Sequence, residues 1–135
     1  AAAPILGYLV GGSLKFAVNT LRSKRTAFDQ IGLGGLPSTH CSVVTSVLFL
    51  IAFRDGVNNA AFSVCLALCI IVSIDAMDLR RRVGQQAAAL KDIAPDKPMV
   101  QTLRVRAGHS PIEVLAGWAV GAVVAYGLYW LMFAM

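Results

Sequence analysis

Apolar residues fall into four long stretches along the chain, separated by segments that carry most of the charge. These stretches are residues 4–21, 38–53, 60–77 and 111–135. A helix needs about 20 mostly apolar residues to cross the hydrocarbon core of a bilayer. The second stretch is the shortest, and the first carries Lys15 and Asn19. Together the four predict an all-α integral membrane protein, a transmembrane bundle of four helices in one domain, residues 1–135.

The composition favours a membrane protein over a soluble one. Hydrophobic residues make up 57% of the chain and charged residues only 14%, whereas a soluble domain carries about 25% charged residues. The formal net charge is +5. The basic residues are not interleaved with aromatic ones, so we expect no nucleic-acid partner. Membrane lipids and a phosphorylated lipid substrate are the expected partners.

The basic residues collect on one side of the predicted bundle. With four spans, the loops of residues 22–37 and 78–110 share one face of the membrane, and the other face has only Arg54. The positive-inside rule places both loops in the cytoplasm of a bacterial cell, below its inner membrane. Within the second loop, we expect residues 83–90 to continue the third span as a short helix.

Nearly every polar residue close to a span lies at that same cytoplasmic end. These residues are Lys15, Ser38, His40, Asp75, Arg80, Arg81, His109 and Glu113. A random scatter would distribute polar residues between both ends of the spans. The pattern therefore predicts a site assembled from several helix ends.

His109 and Glu113 stand four residues apart, so on a helix their side chains would share a face. A carboxylate there can hold one imidazole nitrogen and leave the other as a nucleophile toward phosphorus. Ser110 and Glu113 also fit a capping box, with Pro111 at the first helical position. One carboxylate cannot easily hold both roles, and we favour the catalytic orientation.

The string Pro37-Ser38-Thr39-His40 opens the second apolar stretch after a glycine-rich turn. Helix N-termini attract phosphate groups. We interpret the string as a phosphate cradle, with His40 as the general acid that protonates the leaving oxygen. An ordinary helix start is the alternative interpretation. The string is not a nucleotide P-loop, because no Gly-Lys-Ser/Thr follows at the required spacing.

Further charged positions fit a phosphate site. An ionisable residue inside a span, such as Lys15, is a functional candidate, although snorkelling to the headgroups would also satisfy it. We expect Asp75 to pair with an arginine or lysine, because the histidines and acids do not form a recognised metal spacing. Arg80 and Arg81 either determine topology or bind phosphate oxygens in a bidentate manner.

Two Gly-x-x-x-Gly patterns let helix backbones approach closely. Gly7 and Gly11 form one in the first stretch, and Gly117 and Gly121 form the other in the last. These faces either pack within the chain or join two copies in a homodimer, and we favour packing within the chain.

These residues resemble the type 2 phosphatidic acid phosphatase superfamily, which includes the vanadium haloperoxidase-related acid phosphatases, and specifically its small divergent membrane branch. The resemblance covers nearly the whole chain. The matching strings are Gly34-Gly35-Leu36-Pro37-Ser38-Thr39-His40, then Asp75-Ala76-x-x-x-Arg80-Arg81-x-x-Gly84-x-Gln86-Ala87, then Gly108-His109-x-Pro111-Ile112-Glu113-Val114.

The resemblance implies a phosphatase that works through a phosphohistidine, without a metal or another cofactor. By position, His109 would be the nucleophile, Glu113 its orienting carboxylate, and His40 the general acid. We assign phosphate binding to Lys15, Arg22, Ser38, Thr39, Asp75, Arg80 and Arg81.

The chain also departs from the wider superfamily's motifs. Ser23 stands where the first motif has proline, and Thr39 stands where the second has glycine. Leu103 occupies the place of the third motif's arginine. A nearby arginine must then compensate: Arg104, Arg106 or the pair of Arg80 and Arg81.

The sequence thus predicts a hydrolase of lipid phosphate monoesters or diphosphates at the cytoplasmic face of the membrane. Two alternatives use the same residues. One is a non-catalytic protein that binds or transports an anionic lipid, and the other is a phosphotransferase whose acceptor is not water.

Overall fold

All helices predicted from hydropathy are present in the computed structural model, which describes residues 2–23, 35–105 and 107–133, except for the side chains of residues 22 and 23. The elements are α1 (Ala2–Ser23), α2 (Thr39–Asp55), α3 (Ala60–Ile74), a π turn (Asp75–Leu79), α4 (Arg80–Ile93), α5 (Pro98–Gln101) and α6 (Pro111–Phe133). No residue in the described ranges lies in a strand. The all-α prediction is confirmed, and the helix expected at residues 83–90 lies within α4.

Two of the described helices are long and apolar enough to cross a membrane, judged by length and composition. They are α6 and the continuous helix Ala60–Ile93, which joins α3 to α4 through the π turn. At 17 residues, α2 is about 25 Å long, shorter than the roughly 30 Å hydrocarbon core. The count of four spans stays a prediction.

The centre of the bundle is α2, which packs against α1, α3 and α6. Its buried side chains include three hydroxyl groups, those of Ser42, Thr45 and Ser46, which are fully shielded. Each hydroxyl donates to a backbone carbonyl oxygen: Ser42 to that of Ser38 at 3.0 Å, for example. Because their polar atoms are paired, these small residues allow close helix packing without an uncompensated polar group.

Both Gly-x-x-x-Gly faces are covered by α2 within the chain. A Cβ added to Gly7 would lie 2.7 Å from the Ser42 carbonyl oxygen, and one on Gly117 would lie 2.6 Å from that of Ser38. Contacts this short leave room only for hydrogen. The glycines therefore serve packing inside the chain, as we favoured, and a homodimer stays a prediction that would need another surface.

The outer surface of the bundle is apolar. Large aliphatic side chains on α3 and α6 face outward, including Val64 and Val123, which are each 71% exposed. Small polar residues lie inside instead. This distribution suits a protein whose outer helix faces contact lipid.

Candidate functional site

The starts of α2 and α6 are joined at one end of the bundle. The Ser38 N–H donates to the Glu113 carbonyl oxygen at 2.9 Å. The Ser38 hydroxyl accepts a long 3.5 Å hydrogen bond from the Cys41 N–H and so caps α2. The Ser38 side chain is fully buried and positions these two helix starts, while its contact with phosphate stays a prediction.

The backbone of His109 is fixed to the π turn. Its N–H donates to the Ala76 carbonyl oxygen at 2.8 Å. In a π turn, hydrogen bonds reach one residue further than in an α-helix, and such turns are frequent at functional sites. This hydrogen bond holds the residue before α6 against the α3–α4 junction.

The imidazole of His109 is the most informative group in the site. Both of its ring nitrogens are buried, and neither has a hydrogen-bond partner among the described residues. A buried polar group left unsatisfied costs about 1–3 kcal/mol. A hydrogen-bond partner at either ring nitrogen, such as water or a ligand, would relieve this cost.

The surroundings of His109 favour its neutral form. Burial lowers the pKa of its imidazole, and the positive charge of Lys15 lowers it further. Glu113 opposes this shift with its negative charge, while His40 and Arg80 add to it. Neutral imidazole retains the lone pair that a nucleophile requires.

Glu113 corrects one of our expectations. Its Oε2 accepts from the Ser110 N–H at 2.9 Å, and its own N–H donates to the Ser110 hydroxyl at 3.3 Å. These two bonds form the capping box. The carboxylate we expected to orient His109 caps α6 through Oε2 and makes no hydrogen bond to either ring nitrogen.

Asp75, Arg80 and His40 form a chain of contacts across two helices. The Arg80 Nε donates to Asp75 Oδ2 at 3.2 Å, so Asp75 pairs with an arginine as expected. The Arg80 Nη2 lies 3.4 Å from the His40 Nε2. Arg80 therefore brings a guanidinium to the exposed ring of His40 at the start of α2.

The remaining four predicted phosphate ligands differ in their placement. Lys15 is half-buried and lies within electrostatic range of Glu113 and Arg80. Arg81 is exposed, and Gly108 lies against its backbone. Thr39 is partly buried at the first position of α2. The side chain of Arg22 lies outside the described residues.

An open cavity of about 440 Å³ lies between α4 and the segment that leads into α6. His109, Arg80, Asp75 and Arg104 supply its polar lining. Its other residues are apolar or small: Leu79, Val83, Ala87, Leu103, Ala107 and Gly108. Within the described ranges, no three His, Cys, Asp or Glu side chains come together as a metal site would require.

Comparison with known proteins identifies the family of the chain. The model of a family described as the Divergent PAP2 family matches residues 2–124. The chain belongs to the Divergent PAP2 family. It is also 28% identical to the "Uncharacterized membrane protein YuiD" of Bacillus subtilis (strain 168), over 128 residues that cover 82% of this chain and 81% of the relative. No solved structure matches the chain.

The match to the Divergent PAP2 family confirms the resemblance that the motifs of the chain indicated. Sequence reasoning did not find the π turn or the cavity. The only signal was the string that begins at Asp75, which spans the whole π turn and the start of α4. Hydropathy gives no sign of a π turn, because one inserted residue leaves the apolar pattern nearly unchanged.

Proposed function

We propose that the protein is a membrane phosphatase that removes phosphate from a lipid monophosphate or diphosphate, with His109 as the nucleophile. The observation that supports this most strongly is the buried imidazole of His109, whose nitrogens have no partner in the described structure. It lines a cavity together with Arg80 and Arg104. A phosphoryl group bound to these arginines would lie beside a neutral imidazole.

The first step forms a bond between a ring nitrogen of His109 and phosphorus, and breaks the bond from phosphorus to the leaving oxygen. That oxygen takes a proton from His40. The guanidinium of Arg80 can only donate, so in the observed contact the His40 Nε2 accepts. A phosphate oxygen between the two groups would accept from Arg80 and favour the imidazolium form of His40.

The second step restores the protein. Water attacks the phosphorus of the phosphohistidine, the bond from phosphorus to nitrogen breaks, and a proton of the water returns to His40. Inorganic phosphate then leaves the site. His40 thus acts as an acid in the first step and as a base in the second.

Cationic groups would stabilise the charge on the phosphoryl oxygens in both steps. In phosphoryl transfer this electrostatic contribution dominates, since the protein does little covalent chemistry. Arg80 is held by Asp75, Lys15 lies on the α1 side, and Arg104 lines the cavity. We propose that Arg80 takes the place of the missing third-motif arginine, because it contacts His40 and shares the cavity with His109.

We place the site at the cytoplasmic face of a bacterial inner membrane. The cations of α4 and the segment after it lie at the site end of the bundle, whereas Arg54, at the end of α2 away from the site, is paired with Asp55. The outward-facing aliphatic side chains of α3 and α6 support lipid contact. The name of YuiD describes that relative as a membrane protein.

The test is phosphate release by the purified protein from a panel of phosphorylated lipids, assayed with and without a chelator. The panel contains phosphatidic acid, phosphatidylglycerol phosphate, and polyprenyl phosphates and diphosphates. We expect release from at least one of them, insensitive to the chelator and abolished by His109→Ala. Gly127→Ala is the control, because nothing lies within 4 Å of a Cβ at Gly127. Full activity of His109→Ala would rule out the mechanism.

One observation supports a second function, the binding of an anionic lipid without turnover. Glu113 is engaged in the capping box, so no described carboxylate orients His109 for attack. A protein with this function would bind the phosphorylated lipid but release no phosphate. His40→Ala would then change affinity alone, which separates this function from catalysis.

A further inference from the structure

The segment that carries His109 into the site lies directly against α4. We call residues 103–105 and 107–109 the strap. Leu103, Ala107 and His109 of the strap form one wall of the cavity, and α4 with the π turn forms the other. The distance between the strap and α4 therefore sets both the width of the cavity and the place of His109.

Two glycines allow the strap to lie this close. A Cβ at Gly84, which is buried in α4, would overlap the Val105 carbonyl oxygen. Gly108 has a φ of +101°, and a Cβ there would lie 3.1 Å from the Arg81 backbone nitrogen. A carbonyl oxygen of the backbone cannot move aside as a flexible side chain can. The strap would have to shift as a unit if Gly84 gained a side chain.

A glycine inside a helix needs a reason, because alanine is the better helix former. Gly84 lies in the interior of α4, where helix formation alone would favour alanine. The close approach of Val105 supplies the reason. By contrast, nothing lies within 4 Å of a Cβ at Gly127 in α6.

We propose that Gly84 is a positioning residue for His109: it seats the strap on α4 and so holds the imidazole in the cavity. The proposal rests on the function proposed for His109, but its test observes the His109 ring and backbone directly. A failure of Gly84 in this role would therefore be distinguishable from an absence of phosphatase activity.

The test uses the full chain with isotope-labelled histidine. Because the chain has two histidines, His40→Gln leaves a single ring signal and assigns His109. In the parent, we expect the His109 ring to titrate below the ordinary pKa of a histidine side chain. We expect the backbone N–H of His109 to exchange slowly, because it donates to the Ala76 carbonyl oxygen. In Gly84→Ala, water reaches the ring, so the titration midpoint of His109 should move up toward the ordinary histidine pKa. The backbone N–H of His109 should also exchange faster, because the strap no longer holds it against Ala76.

Gly127→Ala is the matched control, and we expect it to leave both measurements at their parental values. An unchanged His109 titration and exchange rate in Gly84→Ala would overturn the proposal. An equal change in Gly127→Ala would overturn it too, since the effect would then belong to any glycine replacement.

Two further measurements apply if Gly84→Ala fails to fold. In the unaltered protein, fast exchange of the His109 N–H would show that the strap is not seated on the π turn, which overturns the proposal. Gly108→Ala releases the strap at its second glycine and should move the His109 titration in the same direction. If phosphate release is observed, it should fall in Gly84→Ala by roughly 100-fold, the cost of a displacement near 1 Å.

Discussion

At the scale of single residues, His109 carries most of the functional argument. The sequence singled it out because it lies with the other polar residues at one end of the predicted spans, four residues before Glu113. The sequence could not show that both ring nitrogens are buried and lack a partner among the described residues. That observation depends on the strap, the π turn and α6 meeting at one place.

The pH dependence of phosphate release follows from the state of His109. Its neutral form attacks, and burial together with Lys15 lowers the pKa of its imidazole below the ordinary 6.5. We therefore expect kcat/KM to fall on the acid side with a midpoint below pH 6.5. Lys15→Met removes a positive charge, which makes protonation easier, so the midpoint should move upward.

Lys97→Met is the control for that variant, because Lys97 lies on an exposed turn before α5. It should leave the midpoint of the pH profile unchanged. A parental midpoint at or above 6.5 would contradict the assignment of the acid limb to His109.

Adjacent residues show where sequence reasoning reached its limit. Arg80 and Arg81 are equally basic, and either could have replaced the missing third-motif arginine. Neighbours on a helix point about 100° apart, so only one of them could reach His40. The rotation of α4 after the π turn directs Arg80, and not Arg81, toward His40. No pattern in the sequence fixes that rotation.

At the scale of elements, the helix starts were predictable but their internal contacts were not. Glu113 has the spacing of a capping box and of a partner for His109, since both use the same helical turn. The structure shows the capping box. The geometry of the loop before α6 decides this, because it directs the Ser110 N–H at the carboxylate.

Glu113 variants separate the two roles. Glutamine also completes a capping box, so Glu113→Gln should keep the parental Tm and most of the phosphate release. Glu113→Ala loses the cap and should lower the free energy of unfolding by about 1 kcal/mol. A thermal unfolding series in detergent, run beside the phosphate assay, makes the comparison.

The opposite result is informative as well. If Glu113→Gln lost phosphate release as completely as His109→Ala while keeping its Tm, the carboxylate would be needed for chemistry. The capping box would then open when substrate binds.

At the scale of the whole molecule, hydropathy predicted the helices and their order because apolar stretches long enough for a membrane have few other uses. Hydropathy alone treats α1 and α2 as apolar helices in contact with lipid, although both helices carry small or polar residues. In α2, the small residues Ser42, Thr45 and Ser46 lie inside the bundle, where packing within the chain replaces contact with lipid. The convergence of the helix ends was predicted from the polar residues alone, and His109 lies within electrostatic range of Lys15, His40 and Arg80, as that prediction requires.

The cavity and the packing of the strap against α4 could not be predicted from the sequence. Gly84 belongs to a motif string that we quoted, but a glycine in a string does not reveal what approaches it. Only the position of the Val105 carbonyl oxygen explains it. Long-range contacts of this kind connect residues about twenty positions apart, where local patterns carry no information.

The most direct test of the central claim is to trap the phosphoryl group on the protein. A lipid substrate with labelled phosphorus is mixed with the purified chain, quenched rapidly in alkali and digested. We expect label on the peptide that contains His109, stable in alkali and lost in acid, and no label on His109→Ala. Turnover without label on that peptide, or equal labelling of His109→Ala, would contradict the account.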